Sequence, residues 1–197
     1  MESKQTIISI ILAAGGSRRL GHPKQLVRFK GKLLIDHIAE VVKESQTDSS
    51  SIILGGYAKE ILDSMGTKLP VIINEHWEQG MSSSIRTAVQ HVRSSHHEAK
   101  AILFVLGDQY AITTEHLNAI ITGYRKSHSS LVCSAYKNVL GVPALFDAVH
   151  WDALLSLNGD EGAKHLIKKL FKPGKDISLP FVGGEKDIDS TSDLAQI

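Results

Sequence analysis

Ile7-Ile8-Ser9-Ile10-Ile11-Leu12-Ala13-Ala14-Gly15-Gly16-Ser17-Arg18-Arg19-Leu20-Gly21-His22-Pro23-Lys24-Gln25-Leu26 carries an apolar strand straight into a glycine-rich, cationic loop. From Ile7 to Leu12 every residue except Ser9 is apolar and most are β-branched, which suits a strand buried on both faces of a parallel sheet. Ala13, Ala14, Gly15 and Gly16 lack bulk, so successive backbone N–H groups can curl around an anion and approach it closely. Arg18, Arg19 and Lys24 add charge where that anion would sit, Arg as a planar fork and Lys as a mobile point charge. Polyphosphate is the natural ligand of such a loop; the competing reading is an ordinary strand-to-helix turn with surface arginines.

Two phosphate loops are excluded by spacing. Gly16 and Gly21 have the separation of a Walker loop, but His22-Pro23 follows where Lys and Ser or Thr are required, and Pro23 disfavours helix at His22. A dinucleotide fingerprint needs G-x-G-x-x-G, which Gly15, Gly16 and Gly21 do not supply.

Strand-like runs recur at Ser51 to Leu54, Pro70 to Ile73, Ala101 to Leu106 and Leu131 to Ala135. Between them, helical periodicity runs over Leu33 to Glu44, Ala58 to Met65, Ser82 to Arg93 and Thr114 to Lys126. The alternation predicts βαβ units, a mainly parallel sheet and helices on both faces, with ligands bound beyond the carboxyl ends of the strands. Thr113-Thr114-Glu115 offers a helix N-cap, Asp147 a cap for a helix through Leu155, and Asp160-Glu161 the start of another through Leu170. Ile177 to Leu179 and Glu185 to Ile188 are the strand candidates of the last part, and no linker separates that part from the rest.

With 197 residues, 42% of them hydrophobic, the chain can bury one sizeable core, and a single domain over residues 1–197 is expected. The 22 basic and 21 acidic residues leave a net charge of +1, so no global field favours nucleic acid or an anionic membrane and anion binding is local. The apolar runs are strand-sized and Met1 to Thr6 lacks the pattern of a signal peptide, from which a cytoplasmic protein is expected. Cys133, the one cysteine, stands in an apolar run and reads as a buried hydrophobe. His96-His97 lack the spacing and partners of a zinc set, and no Ser-His-Asp motif is evident.

Asp108 follows the apolar run Ala101 to Leu106 and Gly107. A carboxylate at a strand's C-terminal edge faces the same crevice as the first loop and can hold Mg²⁺ against phosphate oxygens; a turn or cap aspartate is the alternative. Asp187 and Asp189 alternate in the tail, where the residues alone also fit a solvated acidic segment.

Leu12-Ala13-Ala14-Gly15-Gly16-Ser17-Arg18-Arg19-Leu20-Gly21-His22-Pro23-Lys24-Gln25-Leu26 resembles the L-A-A-G-x-S-x-R-x-G-x-P-K-x-L signature of MobA-like nucleotidyltransferases, especially the molybdenum-cofactor cytidylyltransferases. Further segments resemble the family in order. Leu106-Gly107-Asp108-Gln109-Tyr110 is similar to G-D-Q-P, with Tyr110 where proline is usual. The stretch from Asn74 through Trp77, Gly80, Met81 and Ser84 is similar to N-x-x-W-x-x-G-M-x-x-S-L, a loop that lines base and ribose. Gly141 to Phe146 resembles G-x-P-x-L-F, Gly159 to Lys164 resembles G-D-x-G-A-R, and Asp187 to Leu194 resembles D-I-D-T-P-E-D-L. Lys164 replaces an arginine, keeping the charge and losing the bidentate fork.

The resemblance implies a three-layer αβα, Rossmann-like α/β domain of the nucleotide-diphospho-sugar transferase type. It implies Mg²⁺-dependent transfer of a nucleoside monophosphate from CTP, or alternatively GTP, to the terminal phosphate of molybdopterin or the molybdenum cofactor, with release of pyrophosphate. Leu12-Ala13-Ala14-Gly15 looks like the cytidylyl branch; the guanylyl branch usually reads L-A-G-G. The nucleotide would fall to Leu12, Ala13, Ala14, Gly15, Gly16, Ser17, Arg18, Lys24, Gly80, Ser83, Ser84 and Asp108, and the chemistry to Lys24, Arg18 and Asp108. The metal would fall to Asp108 and Asp189, and the second substrate to Gln109, Pro143, Phe146, Gly162 and Lys164. A molybdenum hydroxylase such as xanthine dehydrogenase is the implied partner. Transfer to a sugar phosphate, or a non-catalytic carrier of the cofactor, are the rival readings.

Overall fold

The computed structural model describes residues 5–17 and 20–188. Thr6–Leu12 forms strand β1 at the centre of a seven-stranded sheet, with its apolar residues dividing between two faces: Ile7 and Ile11 enter one core, Ile8, Ile10 and Leu12 the other. That division is the period-2 alternation of a strand applied to a run that is apolar on both sides. A hairpin then joins β2 (Arg28–Phe29) to β3 (Lys32–Leu33). Its two turn residues, Lys30 and Gly31, both take positive φ (49° and 82°), as a tight two-residue turn requires.

The chain continues through α1 (Leu34–Lys43), β4 (Ser49–Leu54), α2 (Ala58–Ser64), β5 (Val71–Ile73), α3 (Met81–Ser95), β6 (Ala99–Leu106) and α4 (Thr114–Lys126). Then follow β7 (Leu131–Tyr136), β8 (Val139–Asp147), α5 (Trp151–Leu155), α6 (Ala163–Leu170) and β9 (Ile177–Pro180). The sheet order is β5-β4-β1-β6-β8-β7-β9. Neighbours β5, β4, β1 and β6 are parallel, β8 runs antiparallel to both β6 and β7, and β9 is parallel to β7. Helices α1, α2 and α4 cover one face with Ile35, Ile38, Ile61, Leu117 and Ile120. Helices α3, α5 and α6 cover the other with Ile85, Val89, Trp151, Leu154 and Ile167. The three-layer α/β architecture matches expectation; each fully buried aliphatic side chain adds about 1.5–3 kcal/mol to it.

Strand β8 is a departure, since the sequence suggested only a helix from Asp147. Val139–Asp147 pairs on both sides, and Asp147 caps a single helical turn by accepting from Val149 N–H (3.0 Å) before α5 begins. Helix α6 opens on Gly162, later than the Asp160-Glu161 start expected. Glu185 to Ile188 forms no strand; Ile188 instead buries its side chain in the core on the α1 and α4 face. Thr113 caps α4 as anticipated, accepting from His116 N–H at 3.2 Å. Among the described residues no helix is long and apolar enough to cross a membrane.

The arrangement that matters for a ligand is at the carboxyl edge. Leu12 lies level with Ile53 on one side and Leu106 on the other, so the segments after β1, β4 and β6 emerge together. The chain fills β4 and β5 to one side of β1 before crossing back to β6, which makes the β1–β6 edge the switch point of the sheet, where α/β proteins bind ligands.

Candidate active site

Three strand ends build the floor. Ala13 N–H donates to Ile53 O (3.0 Å), Gly107 N–H to Leu12 O (3.0 Å) and Gly56 N–H to Ala14 O (3.0 Å), which stitches the loops after β1, β4 and β6 into one surface. The packing leaves no room for side chains. A Cβ on Gly56 would stand 2.9 Å from the Cα of Gly16, one on Gly107 2.8 Å from the Cβ of Ala13, and one on Gly16 2.5 Å from the Trp77 ring.

Lys24 is tied to this floor through Ser17 and Asp108. Residues Lys24–Leu26 form one 3₁₀ turn after Pro23, and the Lys24 N–H donates to Ser17 Oγ at 3.0 Å, which fixes where the turn starts. Lys24 Nζ then donates to Asp108 Oδ2 at 2.5 Å. Both side chains are only 16% exposed, so this pair is screened far less than a surface ion pair. The other carboxylate oxygen, Oδ1 of Asp108, is buried with no hydrogen-bond partner among the described residues. An unmatched buried oxyanion costs free energy unless a cation or donor meets it.

The wall opposite comes from the segment before α3. Asn74 is buried and its Nδ2 donates to Ser83 Oγ (2.8 Å) and Ser84 Oγ (3.0 Å), while its Oδ1 accepts from His76 N–H (3.0 Å). These bonds set the approach of Trp77–Gln79 and the start of the helix at Met81. Gly80 takes φ 92°, and a Cβ there would stand 2.4 Å from Gly159 O. Ser82 N–H donates to that same Gly159 O (3.2 Å), and Arg86 reaches Leu157 O (2.5 Å), so the loop before α6 is clamped to the helix start.

Two cavities result. One, of about 470 Å³, is lined by Leu12, Ala14, Gly15, Gly16, Trp77, Gly80, Met81, Ser84 and Asp160, with Glu78 at its side. The second, of about 510 Å³, includes Gln109, Tyr136, Lys137, Val142, Gly162, Lys164, Glu185 and Asp187. Leu12, Met81 and Asp160 belong to both, so the cavities adjoin. In the second, Lys137 pairs with Glu185 (3.6 Å). Burial raises the pKa of the Tyr136 phenol; the Gln109 side chain opposes that shift and the carboxylates of Asp187 and Asp108 add to it, so the phenol keeps its proton.

A family model for the MobA-like NTP transferase domain matches residues 9–174. The chain belongs to that family. Purine catabolism protein PucB of Bacillus subtilis (strain 168) is 26% identical over 174 residues, 82% of this chain and 80% of its own. Nicotine blue oxidoreductase of Paenarthrobacter nicotinovorans is 25% identical over 173 residues, 83% of this chain and 82% of its own. The crystal structure of Rv0371c from Mycobacterium tuberculosis H37Rv has a TM-score of 0.84 and 26% identity, covering 98% of this chain and 97% of that one. A manganese complex of Rv0371C has a TM-score of 0.79 and 24% identity, covering 97% of each chain.

In this MobA-like chain the expected nucleotide residues do not all reach a cavity. Leu12, Ala14, Gly15, Gly16, Gly80 and Ser84 do. Ala13 turns into the opposite core, Ser83 is consumed by Asn74 and by Gly80 O (2.9 Å), and Ser17 supports the Lys24 turn. Arg18 and Asp189 lie outside the described residues.

Two residues of the expected second-substrate set stand away from both cavities. Phe146 is fully buried and packs edge-on against Phe104 at 6.0 Å, and Pro143 is buried with its carbonyl accepting from Ser134 Oγ (2.7 Å); neither lines a cavity. Phe146 shares the face of Val142 and Ala144 but stands level with Ile102, well short of the Leu106 end of β6 that borders the second cavity, and Pro143 is buried beside Ser134. Gly162, Lys164 and Gln109 do line that cavity. Gln109 also serves the framework, its Nε2 donating to Val142 O (3.2 Å) and Gly184 O (2.9 Å). Tyr110 packs on Phe29 at 5.2 Å and lines neither cavity.

Sequence reasoning missed Gln25, Gly55-Gly56, Tyr136, Lys137 and Asp160. Gly55-Gly56 did carry a signal, a glycine pair at the end of an apolar strand, and Asp160 stood inside a quoted motif; Tyr136 and Lys137 had none.

Proposed function

We propose that this protein transfers a nucleoside monophosphate from a nucleoside triphosphate, CTP in the first instance, to a phosphate on a molybdopterin-type acceptor. The carrying observation is the shielded Lys24–Asp108 pair joined to the glycine floor, Lys24 through Ser17 and Asp108 through Gly107, with Leu12, Gly15 and Gly16 of that floor lining the first of two adjoining cavities. In-line phosphoryl chemistry needs positioning and charge neutralisation more than covalent help from the protein. Gly15 and Gly16 hold the triphosphate through the backbone, and Lys24 neutralises charge growing at the α-phosphate as pyrophosphate departs. In doing so Lys24 exchanges its partner from Asp108 to phosphate.

A divalent cation fits the residues present. Asp108 offers a buried hard oxygen, Oδ1, with no other partner among the described residues, and Asp189 is the second ligand that the sequence suggests. No group of three or more His, Cys, Asp or Glu side chains converges among the described residues, which suits a cation shared with substrate phosphates better than an all-protein cage. When bound, Mg²⁺ would neutralise phosphate oxygens. Lys164 meets the acceptor's phosphate, while the Tyr136 phenol and the Asp160 carboxylate supply a donor and an acceptor for its ring and hydroxyl groups. The likeness to PucB supports a link to purine catabolism, and so a molybdenum hydroxylase as the enzyme served.

The test is transfer of label from the α-phosphate of CTP or GTP to molybdopterin, followed with pyrophosphate release and Mg²⁺ dependence. Sugar phosphates serve as rival acceptors. CTP-dependent labelling of molybdopterin is the expected result. Acceptor binding with neither nucleotide consumed makes the protein a carrier, and oxidation of a reduced nicotinamide dinucleotide in place of pyrophosphate release overturns the transfer reading.

A further inference from the structure

Gln25 neighbours Lys24 but turns the other way. Its side chain is 1% exposed, and its Nε2 donates to Ala13 O at 2.6 Å and to Gly15 O at 3.4 Å. The intervening carbonyl, Ala14 O, accepts from Gly56 N–H at 3.0 Å. Three successive carbonyls of the loop are thus drawn into the protein, two of them by one glutamine. The N–H groups of Ala14, Gly15 and Gly16 meet no acceptor among the described residues, and all three residues line the 470 Å³ cavity. A peptide plane held by its oxygen presents its N–H on the opposite side.

We infer that Gln25 is a positioning residue for the nucleotide: by holding the carbonyls of Ala13 and Gly15 it turns the following N–H groups toward the phosphates. Its neighbour in the same 3₁₀ turn delivers the ammonium, so a single turn orients both the backbone donors and the charge. Asparagine is one methylene short of the same reach, and glutamate lacks the donor while its ionised carboxylate repels the carbonyls. This inference rests on the nucleotide-transfer reading.

Gln25→Met keeps the length and removes the donor; Gln25→Glu keeps the shape and donates again only when its carboxyl is protonated. Titration of CTP with Mg²⁺ by calorimetry, alongside thermal unfolding, tests both variants against wild type. For Gln25→Met the nucleotide Kd should rise about 10-fold or more while the unliganded protein unfolds cooperatively near the wild-type Tm, the size of effect expected from one misplaced set of buried bonds. For Gln25→Glu the loss relative to wild type should shrink as pH falls from 8 to about 5.5, because burial raises a carboxyl pKa and protonation restores the donor.

A folded Gln25→Met with CTP affinity within about twofold of wild type overturns the positioning role. So does a Gln25→Glu deficit that does not change with pH. If wild type itself binds no nucleotide, the transfer reading falls and this inference with it; wild-type binding with undiminished variants removes this inference alone.

Discussion

Lys24 and Asp108 stand 84 residues apart in sequence and 2.5 Å apart in space. Each was legible separately, Lys24 as a cation in the loop and Asp108 as a carboxylate at a strand end, but nothing in a linear chain announces that they touch. Replacement of either removes one half of a shielded charge pair. Lys24→Ala and Asp108→Asn should each lower turnover by at least about 100-fold, the loss typical of a charge-stabilising group, with a cooperative unfolding transition retained. Steady-state kinetics with labelled nucleotide read the outcome; near-normal turnover in either variant removes that residue from the chemistry. Gln25 shows the limit of reading by residue type. A glutamine beside a lysine has no signature, and only burial with two carbonyls in reach gives it a role.

The elements that hold the site were read unevenly, for reasons the pairing makes plain. The parallel strands β1, β4, β5 and β6 are short apolar runs between helices and were visible as such. Strand β8 was not, because Gly141 and Pro143 interrupt a run whose partners β6 and β7 run antiparallel to it, and Pro in a strand argues against a central position. Phe146 and Pro143 were expected at the second site through the motif alone, and a motif does not say how far along a strand, or how deep, each residue sits. The glycine contacts give the strand ends a measurable tolerance. Gly16→Ala puts a Cβ 2.5 Å from the Trp77 ring, which should cost about 1–3 kcal/mol of stability and shift the tryptophan emission as the indole is pushed aside. Unfolding in urea with fluorescence detection measures both, and an unchanged midpoint would place Trp77 in a looser setting than the packing indicates.

Across the molecule, burial has left several histidines poorly able to carry charge. His37, His91, His116 and His150 all have pKa values below 6.5 through desolvation, and His116 is held in place by Ser134 Oγ at 2.8 Å and by stacking on Phe181 at 4.4 Å. In the unfolded chain these rings take up a proton near 6.5; in the fold they do so only at lower pH. Below 6.5 the unfolded state therefore binds more protons, so the stability is complete above that value and declines as pH falls beneath it. Tm measured from pH 7.5 down to 5.5 should drop, and His116→Gln should flatten part of that slope; an identical slope would exclude His116 as a contributor. The shared border of the two cavities has another consequence. Because Leu12, Met81 and Asp160 border both, the two compartments lie side by side, and a molecule joining a nucleoside to an acceptor mimic by a short tether would reach across that border into both at once. Its second half would bind at an effective concentration set by the tether, so two weak fragments would combine into one tight inhibitor without any new contact.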